Sequence, residues 1–403
     1  MSYPSTWNKI KFGDIAKRKS VRIDNPKESE YERYVGLEHL DSGELVIKRW
    51  GSTKDVSSSM QIFNENDILF ARRNTYLKRI SVVLFDGLCS GDIIVIEPIL
   101  NHIIEGFLPI YMQFEEFENK VVAWSAGAFS KRIKWKQLAD FEIWIPSKKE
   151  QQKIVDFIWS IHDNQERLEN LIQMTEKLKR GLLEELLTKG IGNTKFKKTE
   201  LGEIPEEWQI QTIKNISKSY AGGTPSRSKP AYFKGNIPWV KSTELNSGII
   251  YDTEEKITND GLENSSAKWI PENSVLVAMY GATVGQIALL KIKSTSNQAV
   301  MAIVPSEALN YQYLFYYLKS KKNDLISLTQ GSGQPNLSKE IITSIKIPLP
   351  PLIEQFKLVS IIEIIEKNIS QFSENYKNLI ALKKKLTNEF LSGNLLIPKE
   401  AMN

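Results

Sequence analysis

Two stretches of this chain carry apolar residues at the spacing of a long helix with a single seam. In the later one, Leu358, Ile365, Phe372, Leu379 and Leu386 recur every seven residues, and Ile362, Ile369, Tyr376 and Phe390 hold the interleaved position. This is the a/d pattern of a coiled coil. The earlier stretch shows it less regularly, with Ile154, Ile161, Leu168 and Leu182 on one line and Ile158, Ile172 and Leu186 on the other. Both follow proline-containing runs, which cannot continue a helix. Both open with an acid (Glu150, Glu354), which a helix N-terminus favours, and both meet a glycine stop, Gly190 and Gly393. Each predicted helix is about 38 residues, roughly 57 Å at the α-helical rise. A helix of that length with one apolar seam needs a partner. An ordinary core helix in a larger bundle and homodimerisation through the seam are alternatives. Pairing of the two helices within the chain, antiparallel, is the preferred expectation, since the segments preceding them must then lie at opposite ends, which makes one chain pseudo-twofold.

The two stretches are also copies of each other. At an offset of 204, Ile143, Pro146, Glu150, Gln151 and Lys153 match Ile347, Pro350, Glu354, Gln355 and Lys357. Leu178, Lys179, Leu182, Glu185 and Leu187 match Leu382, Lys383, Leu386, Glu389 and Leu391. The segments before them correspond more weakly: Trp7 pairs with Trp208, "LDSGEL" (40–45) with "LNSGII" (245–250), and "NDILFA" (66–71) with "NSVLVA" (273–278). The order is therefore A–B–A′–B′, with like helices and unlike partners. The boundaries expected are 1–148, 149–195, 196–350 and 351–403. Within A, strands are predicted at "DILFA", "ISVVLF" and "DIIVIEP"; within A′, at "SVLVAMY", "QIALLKI" and "QAVMAIVP", with a tight turn at "YGATVGQ" and an amphipathic helix over 314–328. The fold class is mixed α/β: two globular domains separated by two long helices.

Charge adds a little. The net charge of +5 divides as +1, 0, +3 and +1 over the four segments, mildly basic and spread out. That permits nucleic-acid binding without arguing strongly for it. The basic residues gather in loops beside aromatic ones. "FARRNTYLKRI" supplies Arg72, Arg73, Asn74, Lys78 and Arg79; "FSKRIKWKQ" supplies Lys131, Arg132 and Lys134. In A′ the candidates are Arg227 and Lys229, Tyr280, and Gln334 and Asn336. Arginine and lysine can contact guanine edges or phosphates, and glutamine and asparagine can read adenine. A solvated surface is the plainer explanation of any one such loop.

Other chemistry is not indicated. One cysteine, Cys89, rules out a disulfide within the chain, and three scattered histidines leave no zinc-ligand spacing. No phosphate-binding loop, adenosylmethionine pocket, Asn/Asp-Pro-Pro-aromatic methyltransferase tetrapeptide or nucleophile motif is present. No catalytic residue, metal or cofactor is expected in this chain. With no apolar span of membrane length and no signal core, a cytoplasmic location and no membrane partner are expected.

Several of these motifs together resemble the specificity subunits of type I restriction–modification systems. "IPLPPLIEQ" entering a long helix, "GGTPS" (222–226), "NIPWVKSTEL" (236–245), "YGATVGQIALL" (280–290), "NQAVMAI" (297–303) and "GSGQPNLS" (331–338) carry the likeness in the second half. Residues 70–98 resemble a different class of target-recognition domain from the same family, and "IPSKKEQQ" departs from the "PLPPL" form. The resemblance implies two target-recognition domains, each reading part of a split DNA sequence. It implies spacer helices that form a coiled coil and dock two modification subunits, which bind S-adenosylmethionine and methylate adenine N6. It further implies restriction/motor subunits as partners. Two rivals remain: a coiled-coil scaffold with two non-DNA ligands, and a stand-alone methyltransferase.

Overall fold

The computed structural model describes residues 3–126, 132–329 and 336–395. The chain divides into unit 1, Met1–Leu171 with Phe372–Asn403, and unit 2, Ile172–Gln371. Two helices run through both: α1, Lys148–Lys189, and α2, Leu352–Leu391. Gly190 and Gly393, at φ 69° and 74°, end them in the left-handed conformation that glycine adopts without steric cost.

Within each unit the two helices pack antiparallel. In unit 1, Ile154, Val155 and Ile158 of α1 share a core with Phe390 and Leu391 of α2, and the rings of Phe157 and Phe390 meet at 5.7 Å. In unit 2, Leu186 and Leu187 of α1 share a core with Leu358, Val359 and Ile362 of α2, and Lys179 pairs with Glu366. The seam of α2 is the heptad read from the sequence: Leu358, Ile362 and Phe390 are buried and Ile365, Ile369, Phe372, Tyr376, Leu379 and Leu386 half-buried.

Each unit also contains a sheet of the same design. In unit 1, β1 (Ala16–Lys19), β2 (Ile68–Ala71), β3 (Ile80–Val82) and β4 (Ile93–Pro98) are ordered β1-β4-β2-β3. In unit 2, β5 (Ser217–Ala221), β6 (Val275–Ala278), β7 (Ile287–Leu290) and β8 (Val300–Pro305) are ordered β5-β8-β6-β7, extended by the short parallel strand Ile249–Ile250. The registers coincide. Ile93 opposes Ala71 as Val300 opposes Ala278, and Ile68 opposes Val82 as Val275 opposes Leu289. Asn66 and Asn273 enter the equivalent strands with positive φ, 69° and 62°. Asparagine tolerates that conformation better than most residues.

The six strands predicted for A and A′ are present. "YGATVGQ" joins β6 to β7, with Gly281 and Gly285 at φ 83° and 75°. The helix predicted over 314–328 is instead two, Tyr311–Ser320 and Lys322–Ser327, broken at Lys321. Its one-sided character also fails, since Tyr313 to Leu318 are all buried. The first helix starts earlier than predicted because Asn310 caps it, accepting from the Gln312 and Tyr313 amides.

The repeated Glu-Gln pair has a structural explanation. Gln151 is fully buried; its amide donates to the carbonyls of Pro146 (2.9 Å) and His102 (3.0 Å) and accepts from the Ile104 amide (3.0 Å). Gln355 repeats this network with Pro350 (2.9 Å), Ala308 (3.0 Å) and Asn310 (2.8 Å). Each glutamine fastens a helix N-terminus to the loop beneath it. Glu354 accepts from the Trp208 indole at 2.9 Å, whereas Glu150 accepts from Ser147 and leaves the equivalent Trp7 indole without a partner. Gln355→Leu strands buried backbone groups, each costing about 1–3 kcal/mol. Hydrogen exchange should show unit 2 opening more readily while unit 1 is unchanged; equal effects in both units would contradict this assignment.

Unit 1 also carries a buried histidine. Burial lowers the pKa of His162, the Lys383 and Lys48 cations lower it further, and Glu166 and Glu44 oppose them. The folded state then binds this proton less readily than the unfolded state. Stability should therefore fall as pH drops through about 6.5, the ordinary histidine value. Thermal melting between pH 7.5 and 5.5 checks this: the loss should be larger in the native chain than in His162→Leu.

Candidate nucleic-acid interface

In each unit an interior strand leaves the sheet at a residue bridged to a later loop. Arg73 follows β2 and forms an antiparallel bridge with Arg132; Tyr280 follows β6 and forms one with Asn336. The flanking backbone bonds recur. The Arg72 amide donates to Asp92 (3.0 Å) and the Ile133 amide to Arg72 (3.0 Å), as Met279 donates to Ala299 (2.8 Å) and Leu337 to Met279 (2.7 Å). Arg73 and Tyr280 are thus the same position, as are Arg132 and Asn336, and Asp92 and Ala299. Four residues singled out in the sequence meet in two matching pairs.

The side chains at these positions differ in kind. In unit 1, Asp92 holds Arg132 at 2.9 Å and faces Arg73 at 3.6 Å, and both guanidiniums remain about half exposed. Arg72 lies beside them, half-buried, with its Nε finding no hydrogen-bond partner. Burial lowers the Arg72 pKa, and the charges of Arg18, Arg132 and Arg22 lower it further against the opposing Asp92. Arg73 and Arg132 therefore flank one carboxylate, with Arg72 and the charges of Arg18 and Arg22 close by, a field that attracts an anion. In unit 2 the place is neutral. Thr224 donates to the Gln298 amide oxygen, and Gln298 in turn hydrogen-bonds the Tyr280 hydroxyl, with Asn336 exposed beside it. Burial raises the Tyr280 pKa, and that hydrogen bond opposes the rise.

Among the other candidates, Lys78, Arg79, Arg227 and Lys229 are engaged within the protein. Asn74 and Lys78, both left-handed (φ 54° and 51°), bracket the turn Thr75–Leu77. Lys78 pairs with the buried Glu118 at 3.0 Å, and Arg79 donates to the Leu37 carbonyl at 2.9 Å. Lys134 is exposed, and its amide caps the helix Trp135–Ala139 through Gln137. Arg227 pairs with Glu255 at 2.7 Å and lies over the rings of Phe233 and Trp239; Lys229 donates to the Tyr232 hydroxyl at 3.1 Å. Lys131 and Gln334 lie outside the described residues. Sequence reasoning missed Asp92, Arg18, Arg22, Thr224 and Gln298. Extending the "NDILFA"/"NSVLVA" alignment through the next strands would have matched Asp92 with Ala299, whereas the closeness of Gln298 to Tyr280 is tertiary.

Among the described residues no group of three His, Cys, Asp or Glu could hold a metal ion, and no helix is long and apolar enough to cross a membrane.

Comparison with known proteins agrees with this geometry. The family model of the type I restriction modification DNA specificity domain matches residues 4–180 and again 205–393. The chain therefore belongs to the type I restriction–modification specificity family and is a specificity subunit with two target-recognition domains. Among its relatives is the MjaVIII specificity subunit of Methanocaldococcus jannaschii, 24% identical over 410 residues, covering 98% of this chain and 94% of that one. The MjaIX specificity subunit of the same organism is 31% identical over 203 residues, 49% of this chain and 44% of that one. The HsdS subunit from Thermoanaerobacter tengcongensis has the same fold, with a TM-score of 0.53 at 18% identity over 98% of this chain and 99% of that one. A chain from a solved type I R-M system gives 0.61 at 19% identity, covering 98% and 100%. As a specificity subunit the chain is not itself catalytic.

Proposed function

We propose that this chain binds a split, asymmetric DNA site, with one part read by each unit, and positions two adenine-N6 methyltransferase subunits and the motor/nuclease subunits on it in the cytoplasm. The functional partition is that of the sequence: recognition domains at 1–148 and 196–350, spacer helices at 149–195 and 351–403. S-adenosylmethionine belongs to the methyltransferase partners. The supporting observation is the matched bridge position, where one scaffold presents arginines in unit 1 and amides with a phenol in unit 2. Two readers of one build and unlike surface suit two half-sites of unlike sequence, while two helices that repeat one pattern suit two identical partners. A gel shift tests this: the chain with a modification subunit should retain one duplex from a mixed library, and a non-DNA scaffold would retain none.

A further inference from the structure

We propose that the bridge position is where each unit reads a base, and that its side chains assign guanine to unit 1 and adenine to unit 2. The assignment rests on the DNA-binding function above and adds the base each unit takes.

Consider unit 1. A phosphate can be held by a point charge such as lysine as well as by a guanidinium fork. Bidentate reading of guanine O6 and N7 needs a guanidinium fork held at one angle. Asp92 supplies such a hold, with one carboxylate oxygen 2.9 Å from Arg132 and the other 3.6 Å from Arg73. The surplus of positive charge attracts the DNA as a whole, and the carboxylate holds the two guanidiniums toward a neutral base edge beyond them. Asp92 is therefore a positioning residue, and Arg132 and Arg73 are the readers. Arg18, Arg22 and Arg72 supply the surrounding positive field.

Unit 2 uses the same position with different chemistry. Ala299 replaces the carboxylate, and Tyr280 and Asn336 replace the arginines. Thr224 and Tyr280 hold Gln298 from two sides, yet its amide retains a second N–H and a second lone pair. Asn336 is exposed with a full amide. An amide donating to N7 and N6-accepting through its oxygen matches adenine and mismatches guanine, which presents two acceptors. Among the described residues unit 2 places no arginine cluster at this position, so its binding gains little from charge there.

The test is selection of bound duplexes from a randomised library by the full chain with its modification subunit. The native chain, Arg132→Lys, Asp92→Asn and Asn336→Asp are compared, with affinity also measured against salt on unrelated duplex DNA. Arg132→Lys keeps the charge and loses the fork. It should lower preference for one guanine in a single half-site about ten- to a hundredfold and leave binding to unrelated DNA unchanged. Asp92→Asn should blur the same guanine while binding to unrelated DNA strengthens, because one negative charge is removed; a merely structural residue would weaken both. Asn336→Asp removes a donor and should cost an adenine preference in the other half-site alone. Sites selected without change by Arg132→Lys and Asn336→Asp would overturn the base assignment while leaving DNA binding intact. Failure of the native chain to enrich any sequence would instead overturn the function itself.

Discussion

A chain with Arg72, Arg73 and Arg132 all changed to alanine should bind its DNA about a hundred- to ten-thousandfold more weakly and lose sequence preference in one half-site only. Each arginine on a base edge is worth about 1–3 kcal/mol, and two of them with the Arg72 charge reach about 3–6 kcal/mol. The fold should survive, since Arg73 and Arg132 are about half exposed and exposed ion pairs such as theirs with Asp92 stabilise little. Salt titration separates the roles. The slope of log affinity against log salt should shrink by about one for each arginine that sits on a phosphate. A variant that binds all sequences equally less well, with both half-sites intact, would place these arginines on the backbone alone. Unchanged affinity would remove the cluster from the interface.

The second large effect concerns the helices. Both run unbroken from one unit into the other, over Lys148–Lys189 and Leu352–Leu391. Inserting one heptad at matching positions in both keeps the a/d seam and lengthens each by roughly 10 Å. At about 3.4 Å per base pair, the preferred gap between half-sites should lengthen by about three base pairs with both half-sites unaltered. A heptad in one helix alone leaves the two helices unequal, so either the Phe157–Phe390 contact of unit 1 or the Lys179–Glu366 pair of unit 2 must yield. That chain should melt earlier than the doubly lengthened one. Selection from a library of variable gap length reads the result. An unchanged gap in a folded, DNA-binding double insertion would show that the helices do not set the spacing.

Much of the fold was legible because it rests on period and repetition. The heptad of α2 is the seam that the structure buries or half-buries, and the short apolar runs are the strands of both sheets. The doubled Glu-Gln pair was visible as a repeat, although its reason was not: Gln151 and Gln355 bind loop carbonyls far away in sequence. The region 314–328 was misjudged because buried Tyr313–Leu318 is apolar around the whole helix, and the break at Lys321 has no proline or glycine to mark it. The site was half legible. Arginine and amide loops could be picked out by composition, but Lys78, Arg79, Arg227 and Lys229 have the same composition and are engaged within the protein. Only tertiary contacts separate a basic side chain paired with Glu118 or Glu255 from one presented to solvent. Asp92 was overlooked for the converse reason: a lone acid at a strand start carries no signal until two arginines are seen beside it.

The most direct measurement is to map methylated adenines in DNA treated with the purified chain, a modification subunit and S-adenosylmethionine, beside reactions lacking each component. One split site should emerge, with unlike half-sites, a fixed unspecified gap and an adenine methylated in each half, and methylation should vanish when either protein is omitted. Methylation by either protein alone, or a site that is contiguous or without sequence preference, would contradict a two-reader subunit that supplies the address and leaves the chemistry to its partners.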